Sequence, residues 1–218
     1  METGQSEGER LLNRNDQGFL NQVDGDWVDS CNNEWELLTA LMLDTRTPLE
    51  RLHKVVRDLK GANLLDYRVL REEYKKHGRK SIANLFRNAG YPWYNQKSKF
   101  FNQDISFDLK TATFEQIDSI NGIGPKLASL WMRIMHSDRQ NDFVVIDTHV
   151  KRFLRELGHD EAHMSYERQS EILREEARLR GLTITELDEL IVSNGIHRRR
   201  GEPTIPIPER VTLVKGSD

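Results

Sequence analysis

The sequence predicts an all-α protein of about ten helices, and three observations carry that prediction. Apolar residues recur at helical spacing along almost the whole chain. Side chains that cap helix N-termini stand ahead of several of those runs, and no series of alternating segments marks out a sheet.

In chain order, E-W-E-L-L-T-A-L-M-L brings Trp35, Leu38, Leu41 and Met42 near one face at i, i+3, i+4 spacing. After a short D-T-R-T link, P-L-E-R-L-H-K-V-V-R-D-L opens a second, antiparallel helix on a proline, which the first helical turn tolerates. D-Y-R-V-L-R-E-E-Y-K-K and S-I-A-N-L-F-R-N-A-G follow, the latter expected to start at a capping Ser81 and to stop at Gly90. Y-P-W-Y-N then reads as an exposed loop, because its proline interrupts the pattern, and Q-K-S-K-F-F-N resumes the helix. Thr113 and Gln116 match a capping box, and P-K-L-A-S-L-W-M-R-I-M is the next helix. F-V-V-I is a brief extended run. Asp147 stands at an N-cap position before Val150, Phe153, Leu154 and Leu157. Ser165 to Arg180 and Thr185 to Ser193 supply two more helices, and T-I-P-I-P-E-R-V-T-L-V-K is an irregular tail.

Composition narrows the function classes. The 218 residues, 37% of them hydrophobic, suffice for one large domain or two small ones. The longest strongly apolar run, Leu37 to Leu43, is far short of a bilayer span, and the N-terminal M-E-T-G-Q-S-E-G-E-R lacks a signal-peptide pattern. The expectation is an intracellular monomer without membrane contact, in the cytoplasm or nucleoid, or in the nucleus of a eukaryote. The single cysteine, Cys31, can hold neither a disulfide within the chain nor an iron–sulfur cluster, so no cofactor is expected. The net charge of −3 conceals an uneven distribution. Residues 1–36 carry nine acids against Arg10 and Arg14, whereas residues 51–100 hold thirteen Lys/Arg against four Asp/Glu, and His197 to Arg200 form a second basic knot. A polyanionic partner is therefore compatible with the chain.

The stretch D-S-I-N-G-I-G-P-K-L-A (118–128) is the motif with chemical content. A phosphate loop of the nucleotide-hydrolase kind needs four residues between its glycines and a preceding strand, and a dinucleotide fingerprint needs a third glycine; this stretch meets neither requirement. A plain turn and a helix-hairpin-helix remain. In the hairpin reading, Gly122 and Gly124 allow positive φ and close approach, Ile123 plugs the turn from behind, and the amides opening the next helix face a DNA phosphate. Such contacts hold DNA without reading its sequence.

The landmark beyond the hairpin is I-D-T-H-V, with Asp147 placed 21 residues after Lys126. I-N-G-I-G-P-K-L-A, the helix to Met135, F-V-V-I and D-T-H together resemble the helix-hairpin-helix DNA glycosylases of the endonuclease III type. W-E-L-L-T-A-L-M-L-D-T-R-T, G-Y-P-W-Y-N-Q-K-S-K and L-D-E-L-I-V-S-N-G extend the resemblance over roughly residues 34–201. It implies two helical lobes with the active-site cleft between them: a contiguous lobe over 34–141, containing the helix-hairpin-helix at about 113–136, and a discontinuous one from 1–33 and 142–218. The implied partner is damaged double-stranded DNA, and the implied activity is bifunctional. An oxidised pyrimidine would be excised by a lysine that forms a Schiff base, and the abasic strand cut by β-elimination. An 8-oxoguanine or alkyl-purine glycosylase on the same scaffold is one alternative; a non-catalytic DNA-binding module is another.

Carried onto this chain, the resemblance makes Lys126 the nucleophile and Asp147 the carboxylate that stabilises positive charge on the sugar. Taken singly, a lysine in a first helical turn is an ordinary surface charge, and an aspartate before a helix is an ordinary cap. Their joint spacing and flanking residues favour the catalytic pair. Gly122, Ile123 and Gly124 would then lie at DNA. Arg46 would fill the gap left by the flipped base or be an ordinary surface arginine, and Trp93 would sit in the wedging loop or be a packed loop aromatic. Asp44 would line the base pocket or merely end its helix, with Lys97, Lys99, Lys151 and Arg152 among several basic residues able to meet phosphates. The carbonyls of Asp118, Ile120 and Ile123 would hold an alkali cation, while His149 reads as a packed residue. Many relatives carry four cluster-binding cysteines where this chain has I-H-R-R-R-G-E-P-T-I-P-I-P. The proline-bearing tail is expected to pack there instead, with Arg198 to Arg200 supplying positive charge toward DNA.

Overall fold

Ten α-helices and three short 3-10 turns make up the regular structure among residues 28, 30–44 and 47–210, the part of the chain that this computed structural model describes. The helices are α1 (Glu34–Asp44), α2 (Leu49–Gly61), α3 (Tyr67–His77), α4 (Arg79–Asn88), α5 (Tyr94–Lys97), α6 (Phe114–Asp118), α7 (Pro125–Met135), α8 (Thr148–Glu156), α9 (Tyr166–Leu179) and α10 (Ile184–Arg200). Among the described residues none is long and apolar enough to cross a membrane. The chain divides into two compact units, 1–131 and 132–218, with the division inside α7.

In the first unit, α1 is buried on every side from Leu37 through Leu43, as a helix apolar all round must be. It touches α2 and α3, while α3 and α4 pack together and on the 3-10 turn Ser98–Asn102. Tyr67, Phe86, Tyr91 and Phe101 form an aromatic cluster, with ring centroids 5.1 to 5.9 Å apart in successive pairs. The Tyr67 hydroxyl donates to the carbonyls of Phe100 and Gln103, and burial pushes it up to about 12. These bonds fix the segment that supports the hairpin. The expected exposed loop is only partly so. Pro92 is exposed, but Tyr91 is buried, its hydroxyl donating to the Leu43 carbonyl at 2.9 Å. Helix α4 begins after Gly78 rather than at Ser81, whose hydroxyl donates to Glu73 of the preceding helix. The expected helix over 96–102 is likewise divided, into α5 and a 3-10 turn.

The second unit is organised around Val144, Ile146, Val150, Leu154, Leu173, Leu187 and their buried neighbours. The extended run 143–146 has no neighbouring strand among the described residues, so its polar backbone needs other partners. The Tyr166 hydroxyl donates to the Val144 carbonyl and accepts from the Ile146 amide. Arg133 Nε donates to the Phe143 carbonyl at 2.6 Å. Helix α10 runs well past Ser193, where the sequence predicts its end, and continues through Asn194 and Gly195 to Arg200. The tail lies along it. Asn194 exchanges two hydrogen bonds with the Ile205 backbone, at 2.8 and 2.6 Å, and the Pro203 carbonyl lies 2.7 Å from His197 Nδ1.

Candidate active site

The hairpin is built by local chemistry. Thr113 and Gln116 cap α6 reciprocally, so the helix starts where the sequence predicts. It ends at Asp118, and the Ile123 amide returns to the Ile120 carbonyl at 2.9 Å to close the turn. Ile120 and Ile123 are both buried, Ile123 serving as the plug. Gly122 has φ +90°, and a Cβ there would lie 2.5 Å from Cδ2 of Phe100. Two constraints thus demand glycine at 122. Gly124 obeys neither: its φ is not positive, and a Cβ would meet nothing within 4 Å. Its contribution is open space before the first turn of α7. Gly122→Ala is expected to lower unfolding stability by about 1–3 kcal/mol, and Gly124→Ala by less than about 0.5 kcal/mol, as read by urea denaturation.

A support that sequence reading missed is Gln103. Its Oε1 accepts the Asn121 amide at 2.6 Å and its Nε2 donates to the Ser119 carbonyl at 3.3 Å, clasping the turn from outside. Nothing local in the sequence marks this residue, since its partners lie 16 and 18 positions away.

Lys126 occupies the second position of α7, with Leu127 and Ala128 buried behind it. Its side chain is 41% exposed, and Nζ lies 3.9 Å from Oδ2 of Asp44, the last residue of α1. The structure thus brings two predicted residues together, Asp44 and Lys126, whose meeting no sequence signal foretold. Arg46 lies outside the described residues. Trp93 is half-buried, and its carbonyl accepts the amides of Gln96 and Lys97 at 3.0 Å. Lys97 departs from expectation: it is 7% exposed, with its ammonium 5.6 Å from the centroid of the Phe100 ring, so it belongs to the packing beside the hairpin rather than to an outward phosphate contact. Lys99, exposed and 5.1 Å from the same centroid, is the outward lysine of that turn.

In the second unit Asp147 caps α8 as predicted, its Oδ1 accepting the amides of His149 and Val150 at 2.8 Å each. Both bonds go to one oxygen. Lys151 and Arg152 are exposed on the first turns of α8. His149 packs against Gly195 so closely that a Cβ on that glycine would lie 1.8 Å from Nδ1. The segment leading into Asp147 rests on a buried ion pair. Arg133 and Asp188, each 2% exposed, meet at 2.5 Å, and the same guanidinium holds the Phe143 carbonyl. Burial pushes the Asp188 carboxyl up to about 6, with the attraction of Arg133 opposing the rise. Arg198 is paired with Glu156, which removes one charge from the basic run expected to face DNA.

Asp118, Ile120 and Ile123 fall within the hairpin turn, and the Asp118 Oδ1 is buried without a hydrogen-bond donor. Carbonyl oxygens, and a carboxylate oxygen without a donor, are the ligand type that an oxygen-preferring cation takes. Among the described residues no group of three or more His, Cys, Asp or Glu side chains could hold a metal.

Among the described residues the regular structure is wholly helical, with a capped hairpin, a lysine opening the following helix and an aspartate capping a later one, and two solved structures share this helical fold. One is the Methanocaldococcus jannaschii 8-oxoguanine glycosylase/lyase in complex with a 15mer DNA containing 8-oxoguanine, at 18% identity and TM-score 0.54, over 92% of this chain and 94% of that one. The other is the 8-oxoguanine DNA glycosylase of the same organism, at 19% identity and TM-score 0.53, over 92% and 91%. The likeness is one of fold, and it does not single out the endonuclease III type suggested by the motifs. No protein-family model and no curated protein matches the chain.

Proposed function

We propose that this chain is a bifunctional DNA glycosylase and lyase that excises an oxidised base from duplex DNA, with 8-oxoguanine as its first substrate. The observation that carries the reading is Lys126, partly exposed in the first turn of the helix that follows the hairpin. The choice of base draws its support from the two neighbours, both named for 8-oxoguanine, and it replaces the oxidised pyrimidine that the motifs suggested.

In this reading the amides at the start of α7 hold a phosphate, and the flipped nucleotide presents C1′ to Lys126. The neutral amine forms a bond to C1′ as the base leaves with the glycosidic electron pair and takes up a proton. Asp147 stabilises the positive charge that develops on the sugar, with its carboxylate held in one orientation by the two amides of α8. Opening of the sugar, with O4′ protonated, converts the adduct to an iminium. Loss of a C2′ proton then expels the 3′ phosphate and cuts the strand. A cation on the hairpin carbonyls would add fixed positive charge facing the backbone phosphate.

Borohydride trapping on duplexes carrying 8-oxoguanine, thymine glycol, 5-hydroxycytosine, uracil or alkylated adenine tests this. The expected result is the most adduct and cleavage with 8-oxoguanine, and an Asp147→Asn variant slowed about 10²–10³-fold in excision with lesion affinity kept. A preference for the pyrimidine lesions would reverse the choice of base and leave the lyase reading standing. Tight binding without adduct on any lesion or on a bare abasic site would instead make the chain a DNA-binding module.

A further inference from the structure

Asp44 is an acid in an unfavourable place. It ends α1, whose last turn carries no basic residue, so its carboxylate sits at the negative end of the helix dipole. Its ion pair with Lys126 is partly exposed, at 24% and 41%, and pairs of that kind contribute little to stability. Both backbones are nevertheless firmly anchored. Helix α1 is buried through Leu43, whose carbonyl accepts from the hydroxyls of Tyr91 and Thr47 at 2.9 and 3.0 Å, and the Thr47 amide bonds the Asp44 carbonyl. At the other side the Ala128 amide bonds the Gly124 carbonyl at 2.9 Å, with Leu127 and Ala128 buried. Two rigid supports from distant parts of the chain hold a carboxylate and an amine 3.9 Å apart, a gap that one water or a small side-chain rotation closes.

We propose that Asp44 is the positioning residue and proton acceptor of Lys126. The inference rests on the reading of Lys126 as nucleophile and adds the group that prepares it. An Nζ–H bond of the ammonium breaks, and its electron pair stays on nitrogen. The proton passes to Asp44, directly or through one water. The freed pair forms the Nζ–C1′ bond while the glycosidic pair leaves with the base, and the proton held by Asp44 is then available to the departing base. Asp44 thus serves the amine, whereas Asp147 serves the sugar.

The test uses the full chain and a duplex with a preformed abasic site, so that base recognition plays no part. Single-turnover borohydride trapping is followed for wild type, Asp44→Asn and Asp44→Glu. Affinity is measured on a duplex with a tetrahydrofuran abasic analogue, and thermal unfolding midpoints confirm folding. Asp44→Asn is expected to slow adduct formation about 10²-fold with affinity within about twofold of wild type, and Asp44→Glu, which keeps the carboxylate, to recover at least about a tenth of the wild-type rate. Should the Asn variant trap at the wild-type rate, the proposal is overturned and Asp44 is left as a lining of the base pocket. Equal losses of rate and affinity would make it a DNA contact instead. If wild type forms no adduct, or Lys126→Gln forms as much as wild type, the nucleophile reading itself fails and this inference with it.

Discussion

Lys126→Gln is expected to abolish the borohydride-trapped adduct and to lower strand cleavage at an abasic site by at least about 10³-fold. The size follows from the chemistry, because an amide nitrogen has no basic electron pair with which to attack C1′. The side chain is 41% exposed and projects from the first turn of α7. Stability should therefore change by no more than about 0.5 kcal/mol, and affinity for a tetrahydrofuran-containing duplex should survive. Loss of chemistry with retention of fold and affinity separates a nucleophile from a phosphate contact. A variant that still traps would move the reaction to another amine, and the exposed Lys99 would be the first to examine.

Asp188→Ala should be the most destabilising single change in the second unit, costing about 3–5 kcal/mol in urea unfolding at neutral pH. It removes the carboxylate that meets the Arg133 guanidinium, 2% exposed, inside the core. The cost of breaking a buried pair from one side differs from the net worth of the pair. Burial already pushes the Asp188 carboxyl up to about 6, so desolvation outweighs the attraction of Arg133. Replacing both partners, Arg133→Met with Asp188→Leu, should accordingly recover most of the lost stability. The pair matters more for geometry. Arg133 also holds the Phe143 carbonyl, four residues before Asp147, so the apolar double variant is expected to fold yet lose excision rate. If it matched wild type in rate, the pair would be dispensable for positioning that segment.

The elements that could be read from the sequence are those whose start depends on neighbouring residues. Thr113 with Gln116, Asp147 and Ser165 each bond amides two or three positions ahead, so the signal and the structure share one short stretch. Ser81 misled because the helix begins earlier, after Gly78, and its hydroxyl instead donates to Glu73 of the preceding helix. The end of α10 was hidden by contacts with remote residues. Gly195 and Asn194 resemble a helix stop, yet one accommodates the His149 ring and the other clasps the tail at Ile205.

The same division runs through the candidate site. By itself the sequence determined the helical class and the hairpin with its plug at Ile123, because each rests on periodicity and caps along the chain, while Lys126 and Asp147 were singled out by the family resemblance of their flanking motifs. Only the tertiary structure decided that Gly122 must yield to the Phe100 ring, that Lys97 is buried while Lys99 faces outward, and that Asp44 reaches Lys126 from the end of another helix. Those outcomes depend on which remote surfaces meet when the apolar faces are buried, and no short stretch of residues contains that information.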